Sequence, residues 1–550
     1  MKNSKRLVFE KAMNTDEEMV RAIQRGGLKE SVILEDHQLE GVRRLFFTGL
    51  DEPSLKLFFW GMGTGKTMLA LASLCFYFGI HQNSTFCDPC IVVVQSSTIF
   101  ATWRSHFESF APQVRVQYVD KESVLLQLDT TFSQVFVITQ TMMEKAHSKG
   151  WNWNERGESF LDKNGDMRYR GKYQKFVKTE TFLEKAFGVV FFDEVQNVKT
   201  LRPQNRLRQS LRVLCTGSVK VAGLSGTPIV NKPEDMAGIL YALGDTTPFA
   251  DAKTWGKNGS VNTGTVEKFI MEGYVYRIRE DQMNYNLPPL KETFVFIDPT
   301  QHVTQAQLED YNSMFLEAKS KSNEKSKDTF ELVLLLNKMV KLVLSWKVAS
   351  AVSTIVDMLK THNKVVVTAR SVEFLEYVRQ ALGSEKADVL SGKTSPSKRA
   401  LMVQRFLKEP HRRLFFLSMM AGGTGLNITP GATGMVILDL WWTSAIHDQV
   451  KKRIHRRGQT EPVEVKTLVC TNTVEAAILK LQQDKTFCAE IVLGDEDPQE
   501  EEEEQENGHS KKRKRSSSST TLLAWKQWNR VLDGCSALSI HDNDDDVIIL

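Results

Sequence analysis

Cysteine is scarce in this sequence: there are seven in 550 residues, an odd number and too few for a disulfide scaffold. We therefore expect a protein of a reducing compartment. A zinc site is disfavoured as well, although Cys75, His81, Cys87 and Cys90 include one pair at ligand spacing, C-D-P-C. No second CxxC accompanies that pair, and Cys75 falls in a predicted helix.

Long apolar runs and a strong overall charge are also missing. No stretch approaches the ~20 residues of a membrane-spanning helix, and the polar start leads into no signal-peptide core, so no membrane partner is expected. The formal net charge of +4 hides an asymmetry, because residues 495–550 hold 14 acidic and 7 basic side chains. Residues 1–494 therefore carry an excess of 11 positive charges, which suits a polyanionic partner.

The strongest signal that is present is a glycine-rich loop between an apolar run and a predicted helix. The run at 55–60 ends in G-M-G-T-G-K-T at 61–67. A strand, a tight turn and a helix N-terminus present backbone N–H groups to a phosphate; Lys66 supplies a cation and the Thr67 hydroxyl suits Mg²⁺. Trp60 stands where the strict Walker pattern has glycine. The predicted ATP-binding residues of this loop are Gly61, Met62, Gly63, Thr64, Gly65, Lys66 and Thr67.

Polar residues also follow two further apolar runs, 91–94 and 135–138. Strands that alternate with helices predict a parallel sheet, whose ligands lie at the carboxyl ends of the strands. The side chains that follow the runs are thus placed to touch a ligand, or else only to cap the next helices. They are Ser96, Thr98 and Thr139.

Paired acids form the second strong signal. The apolar run 189–192 delivers Asp193 and Glu194 to its end. Asp193 can hold Mg²⁺ through water, and Glu194 can orient and deprotonate a water molecule that attacks a phosphate. Together with the glycine-rich loop, these acids predict the core of a nucleoside triphosphatase.

At these residues the sequence resembles the superfamily-two helicase-like ATPases of the SWI/SNF type. The stretch D-E-V-Q-N-V-K at 193–199 resembles that family's form of the DEAD/DEAH box, and L-S-G-T-P-I-V-N at 224–231 resembles its third motif. Gln38 falls on the family's adenine-reading glutamine. The resemblance implies two RecA-like lobes with ATP bound between them.

The second half of the chain continues the resemblance. A-G-G-T-G-L-N at 421–427 resembles the fifth motif, and residues 449–459 resemble Q-A-x-x-R-x-H-R-x-G-Q. Arg453 and Arg456 lie three residues apart, which predicts one helix face and two guanidinium groups directed at the γ-phosphate. By resemblance, Gly425 binds the nucleotide, and the nucleic-acid backbone is contacted by Gln95, Ser96, Thr98, Thr139, Gly422, Gly423 and Thr424.

Two segments lie outside these motifs. Residues 145–185 interleave aromatic and basic side chains, which suits a nucleic-acid contact or an ordinary surface excursion. Residues 495–550 are of low complexity, and their basic cluster at 511–515 resembles a nuclear localisation signal. The end of this tail resembles a SUMO-interacting motif, with docking on the protein's own body as the alternative. Its aliphatic residues are Val547, Ile548, Ile549 and Leu550.

These observations predict an α/β protein of two RecA-like lobes, each a mostly parallel sheet flanked by helices, with a disordered C-terminal tail. The expected activity is ATP- and Mg²⁺-dependent translocation on double-stranded DNA in the nucleus, to remodel nucleosomes or displace DNA-bound proteins. Two alternatives stay open: an RNA helicase, and a nuclear scaffold with a vestigial ATPase. The expected divisions are an N-terminal extension (1–30), lobe 1 (31–245), a helical inter-lobe region (246–345), lobe 2 (346–494) and the tail (495–550).

Overall fold

The structure is a computed structural model, and its described residues form two units that divide between residues 284 and 285. Residues 489–492 are grouped with the first unit. The division lies inside the range 246–345, for which the sequence predicts a helical inter-lobe region. The described residues are 15–47, 55–61, 63–82, 87–121, 134–149, 151–152, 158–161, 167–170, 177–178, 187–199, 205–216, 218–226, 234–244, 273–278, 287–301, 303–323, 329–384, 387–422, 426 and 428–492.

Unit 1 is built on a seven-stranded sheet in which all the paired strands are parallel. Its central strands carry apolar residues at consecutive positions, because both faces of a parallel sheet are covered by helices. The strands are β1 (Leu57–Trp60), β2 (Cys90–Val94), β3 (Val116–Val119), β4 (Val135–Thr139), β5 (Val189–Asp193), β6 (Lys220–Ser225) and β7 (Val275–Ile278). Their order in the sheet is β7-β1-β6-β5-β2-β4-β3.

Alternate residues of each strand enter the two cores of unit 1. In β1, Phe58 and Trp60 pack into one core and Leu57 and Phe59 into the other. Helices α1 to α4 line the first core, and α5 to α7 line the second. These helices are α1 (Asp16–Arg25), α2 (Asp36–Phe46), α3 (Lys66–Ile80), α4 (Phe100–Phe110), α5 (Gln140–Lys149), α6 (Arg206–Thr216) and α7 (Glu234–Ala242).

Helix α1 lies within residues 1–30, for which the sequence predicts an N-terminal extension. The Thr15 hydroxyl accepts a hydrogen bond from the Glu18 N–H at 3.3 Å and caps this helix. A Cβ on Gly26 would lie 1.7 Å from the Cys75 carbonyl oxygen, so the chain after α1 touches α3 backbone to backbone. This close packing makes α1 part of the core of unit 1.

Unit 2 is built on a six-stranded sheet whose paired strands are again all parallel. Two parallel-sheet α/β units confirm the predicted fold class. The strands are β8 (Leu290–Ile297), β9 (Val365–Ala369), β10 (Val389–Leu390), β11 (Leu414–Ser418), β12 (Gly434–Ile437) and β13 (Val463–Cys470). Their order is β8-β13-β12-β9-β11-β10. Residues 246–345 therefore supply one edge strand to each sheet, β7 to the first and β8 to the second.

Helices cover both faces of the second sheet as well. One core is lined mainly by α8, α9, α10, α11 and α15, and the other by α12 and α14. The helices are α8 (Gln305–Asn323), α9 (Thr329–Trp346), α10 (Val348–Thr361), α11 (Val372–Ala381), α12 (Pro396–Lys408), α13 (Met419–Gly422), α14 (Ser444–Lys451) and α15 (Val474–Val492).

Over the described ranges, no single helix is long and apolar enough to cross a membrane; the bent pair Leu334–Trp346 and Val348–Thr361 reaches that length and composition only together. The same ranges contain no group of three or more His, Cys, Asp or Glu residues able to hold a metal ion. Cys75, Cys87 and Cys90 are free thiols.

Candidate functional site

The glycine-rich loop joins β1 to α3 and has the backbone geometry of a phosphate cradle. Gly63 and Gly65 both have φ of +85°, in the left-handed region that favours glycine. Gly65 is the N-cap of α3, so the unpaired N–H groups at the start of a 15-residue helix border the loop. A Cβ on Gly65 would also lie 2.4 Å from the side-chain nitrogen of Gln38, so the position requires glycine on both grounds.

Lys66 directs its ammonium group back over this loop. Its Nζ donates to the carbonyl oxygens of Trp60 and Gly61, both at 2.8 Å. The Thr64 hydroxyl also donates to the Gly61 carbonyl, at 2.8 Å. A phosphate oxygen carries a formal negative charge whereas a carbonyl oxygen carries only a partial one, so the ammonium group is attracted more strongly to phosphate. A bound phosphate can therefore replace the carbonyls as the partner of Lys66.

Trp60, at the position of the missing Walker glycine, does not obstruct the loop. Its side chain is fully buried, with ring centroids of His37, Phe58 and Tyr276 at 5.0, 5.5 and 5.7 Å. Gly41 on α2 leaves room for the indole, since a Cβ there would lie 3.2 Å from the Trp60 ring. The core behind the loop thus accommodates the tryptophan side chain, and the loop itself is not displaced by it.

Gln38 lies beside the loop and is nearly buried. Its Oε1 accepts the Glu35 N–H at 3.1 Å, in a capping box at the start of α2. Its Nε2 faces Gly65. The amide oxygen is therefore engaged by the helix itself, and the donor nitrogen is the end directed at the loop. The neighbouring His37 holds the loop as well, with Nε2 3.0 Å from the Thr64 carbonyl oxygen.

The acidic turn, residues 193–197, follows β5. Asp193 Oδ1 accepts the Glu194 N–H at 3.1 Å. Glu194 has φ of +53° and ψ of +52°, a left-handed conformation that costs a non-glycine residue about 1–2 kcal/mol. Such strain persists only where neighbouring groups hold the backbone in place.

Two residues that the sequence reasoning did not single out hold the Glu194 side chain. Gln196 donates from its amide nitrogen to the Glu194 carboxylate. The Ser225 hydroxyl in turn donates to Gln196 Oε1 at 2.7 Å. Both lie inside the quoted motifs, as the Q of D-E-V-Q and the S of L-S-G-T-P, but their contact joins positions 29 residues apart.

The strand order brings the loop and the acidic turn to one edge of the sheet. β1 and β5 flank β6, with Phe59 opposite Ser225 and Leu224 opposite Asp193. The three strands therefore end level with one another. The loop after β1, Ser225 at the end of β6 and the acids at the end of β5 meet at the carboxyl edge, where ligands of parallel sheets bind.

The electrostatics of this edge fit a divalent cation. Burial of its carboxyl, together with the nearby Glu194, raises the pKa of Asp193 to about 7, although Lys66 and a hydrogen bond from Trp103 act in the opposite direction. A buried carboxyl that lacks enough positive charge is the setting in which a bound cation restores the ionised form. Thr67, in the first turn of α3, and Asp193 are the residues that would hold Mg²⁺.

The predicted nucleic-acid contacts of unit 1 follow β2 and β4 at this same edge. Gln95 is exposed and Ser96 is half-buried. Thr139 is nearly buried, and its hydroxyl oxygen accepts the Met142 N–H at 3.2 Å, so it also caps α5. Thr98 lies in the short 3-10 turn Ser97–Ile99 that precedes α4. Met62, Gly423, Thr424 and Gly425 lie outside the described residues.

The arginine pair does not lie on one helix face, so that prediction is wrong. α14 ends at Lys451, and the N–H groups of Arg453 and Ile454 bond to carbonyls only three residues back, in a tighter turn. Arg453 is turned inward, 5% exposed, and its Nη1 donates to the Leu426 carbonyl at 3.3 Å. Arg456 is half-buried, and burial lowers its pKa. Gly422 ends α13 on the chain leading to Leu426.

Comparison with family models gives an assignment for both units. Residues 37–343 match the SNF2-related domain, and residues 347–458 match the helicase conserved C-terminal domain.

Individual relatives are distant. An uncharacterized ATP-dependent helicase of Mycoplasma genitalium is 22% identical over 85% of this chain and 41% of its own length. The SWI/SNF-related matrix-associated actin-dependent regulator of chromatin subfamily A-like protein 1 of Drosophila melanogaster is 23% identical over 77% of this chain and 52% of its own. The chain thus spans about half of these curated relatives or less. The Sulfolobus solfataricus SWI2/SNF2 ATPase core in complex with dsDNA is 20% identical with a TM-score of 0.36, covering 85% of this chain and 94% of that one.

Proposed function

Because the chain belongs to the SNF2-related family, we propose that it hydrolyses ATP and uses that energy to translocate on double-stranded DNA. One observation carries this proposal. A phosphate cradle with its lysine and a strained acidic turn meet at the carboxyl edge of a single parallel sheet. The lysine and the paired acids that phosphoryl transfer to water requires are therefore gathered in unit 1.

Each residue at this edge has a distinct role in the proposed reaction. The N–H groups at the start of α3 and the ammonium group of Lys66 bind the β- and γ-phosphates. Thr67 and Asp193 would hold Mg²⁺, which would supply neutralisation of phosphate charge. Glu194 orients the attacking water and accepts its proton, and the bond from Gln196 fixes the direction of that carboxylate.

Duplex DNA is the proposed substrate, and the remaining features favour a polyanionic partner of this kind. Residues 1–494 carry 11 excess positive charges, and the polar ends of β2 and β4 lie at the same sheet edge as the ATPase residues. Contacts of this kind go to the phosphate backbone, so we expect strong salt dependence and little sequence preference. We further propose a nuclear location, where translocation remodels nucleosomes or displaces DNA-bound proteins.

The test compares steady-state ATP hydrolysis with no nucleic acid, with duplex DNA and with duplex RNA, and follows displacement of a third strand from triplex DNA. We expect stimulation by duplex DNA together with triplex displacement. Glu194→Gln should retain ATP binding and lose turnover. Greater stimulation by RNA would favour an RNA helicase, and no hydrolysis by the unmodified chain would favour a scaffold.

A partner contact is proposed for residues 547–550, which lie outside the described residues. An acidic triplet precedes four β-prone aliphatic residues there, and such a strand can add to the open sheet edge of SUMO. A labelled 541–550 peptide should bind SUMO, and its Val547→Ala/Ile548→Ala/Ile549→Ala version should not. Equal binding by the two peptides, or binding by neither, would contradict this proposal.

A further inference from the structure

Two elements that contain or directly follow predicted nucleic-acid contacts also reach the acidic turn through buried side chains. The first element is the junction of β4 and α5, where Thr139 ends the strand and Gln140 begins the helix without a break. Both side chains are less than a tenth exposed. Gln140 is thus a polar residue placed in the interior directly after a predicted phosphate contact, and its amide needs partners there.

The partners of Gln140 lie on both sides of Glu194. Its Nε2 donates to the Asp193 carbonyl oxygen at 3.4 Å, and its Oε1 accepts from Asn197 Nδ2 at 3.2 Å. One amide therefore spans the turn whose central residue is in a strained left-handed conformation. Since the strain persists only where contacts hold it, Gln140 helps to set the backbone that aims the Glu194 carboxylate.

The second element is α4, which starts directly after the 3-10 turn Ser97–Ile99. Trp103 on this helix is 1% exposed, and its side chain hydrogen-bonds the Asp193 carboxyl. The elements that follow β2 and β4 thus each contact the acidic turn through one side chain, Trp103 and Gln140 respectively. If polynucleotide binding displaces either element, that side chain transmits the displacement to Asp193 or Glu194.

We propose that Gln140 is a positioning residue that couples polynucleotide binding at the ends of β2 and β4 to ATP hydrolysis at the acidic turn, with Trp103 as a second link. This inference rests on the proposed function and adds how DNA binding would regulate ATP hydrolysis. Gln140 itself touches neither ATP nor DNA in this assignment. Its contribution lies in the response of the ATPase site to DNA.

The test uses the full chain with Gln140→Leu, which keeps similar side-chain bulk and removes both hydrogen bonds. Gln134→Leu is the matched control, because it makes the same change at the other end of β4, where Oε1 accepts the Arg115 N–H at 3.1 Å, away from the acidic turn. The ratio of DNA-stimulated to basal turnover should fall about threefold to tenfold in Gln140→Leu, the effect of one or two hydrogen bonds. Duplex affinity should be unchanged, and the control should behave as the unmodified chain.

A second readout does not depend on turnover. The affinity of a fluorescent ATP analogue is measured with and without duplex DNA, and the ratio of the two affinities gives the coupling between the sites. We expect this ratio to approach one in Gln140→Leu and to move part of the way to one in Trp103→Phe. The affinity for the analogue without DNA and the affinity for duplex DNA without the analogue should both be retained. A purely structural role would lower stability, both affinities and basal turnover together.

Three outcomes overturn the inference. One is an unchanged stimulation ratio and an unchanged coupling in Gln140→Leu. Another is a loss of duplex affinity itself, which would make Gln140 a contact to the nucleic acid. If the unmodified chain shows no stimulation by duplex DNA, the proposed function fails and the inference fails with it; stimulation that survives Gln140→Leu defeats the inference alone.

Discussion

Removing the ammonium group of Lys347 should destabilise unit 2 more than any surface substitution. Lys347 lies between α9 and α10, and its side chain is fully buried. Its Nζ donates to both carboxylate oxygens of Glu475, at 3.0 and 2.8 Å, and to the Leu468 carbonyl at 2.8 Å. Glu475 Oε2 also accepts the Cys470 N–H at 3.0 Å. The pair therefore ties α15 to the end of β13.

The expected magnitude follows from this complete burial. Lys347→Met keeps the length of the side chain but leaves the Glu475 carboxylate buried without its cation, which costs about 3–5 kcal/mol. For a unit of this size, the midpoint of thermal unfolding should fall roughly 10 °C. Adding Glu475→Gln removes the unpaired charge and retains an acceptor for Cys470, so the double variant should lose only about 1–2 kcal/mol.

The assay is amide hydrogen exchange followed by mass spectrometry on the full chain, because two units need not unfold together. Protection of α9, α10 and α15 should fall in Lys347→Met while unit 1 keeps its protection. Lys360→Met is the matched control: its 2.7 Å ion pair with Asp357 is exposed, so no measurable loss is expected. The reasoning would be refuted if Lys347→Met were no less stable than Lys360→Met. It would also be refuted if the Lys347→Met/Glu475→Gln double variant were as unstable as Lys347→Met alone.

Three further predictions concern the site and unit 2. Lys66→Ala should weaken binding of a fluorescent ATP analogue and abolish turnover together, because the ammonium group is directed over the phosphate loop; unchanged binding would contradict its role. Arg456→Ala should lower kcat roughly 10³-fold with little change in nucleotide affinity, and normal kcat with lost affinity would contradict a transition-state contact. Burial raises the pKa of Asp439 to about 6, so the folded state loses stability as pH rises from about 4 to 6. Asp439→Asn, which keeps the acceptor for the Arg370 N–H, should remove that dependence in thermal unfolding and be the more stable protein at pH 7.

The central strands were predictable because a strand that is buried on both faces has apolar residues at consecutive positions. β2 and β4 are buried along their whole length, and their apolar runs predict them directly. The edge strands carry no such signal. β8, L-K-E-T-F-V-F-I, is mostly exposed, and only its pairing with β13 along eight residues makes it a strand. Strand pairing at long sequence separation is a tertiary property that local pattern does not contain.

The residues that would bind phosphate and Mg²⁺ were predictable from the sequence. The residues whose hydrogen bonds position them were not. Glycine, lysine and paired acids have spacings that phosphate and Mg²⁺ chemistry dictates. Gln140 and Ser225 act through partners 53 and 29 residues away, and a single glutamine or serine has no distinctive pattern. Trp60 shows the same limit, because the space that makes it harmless is provided by Gly41 on a different element.

The arginine pair shows how a correct motif led to a wrong geometry. The prediction extended the helical period through Arg453 and Arg456, since no glycine or proline interrupts the chain before Gly458. The helix ends at Lys451, but the aliphatic residues on either side of this point, Val450 and Ile454, are both fully buried in unit 2. The tighter turn that keeps Ile454 in the core also turns Arg453 inward, toward the Leu426 carbonyl. The backbone leaves the helix at Lys452, and the half-buried Arg456 is the guanidinium group better placed to meet a ligand outside the core.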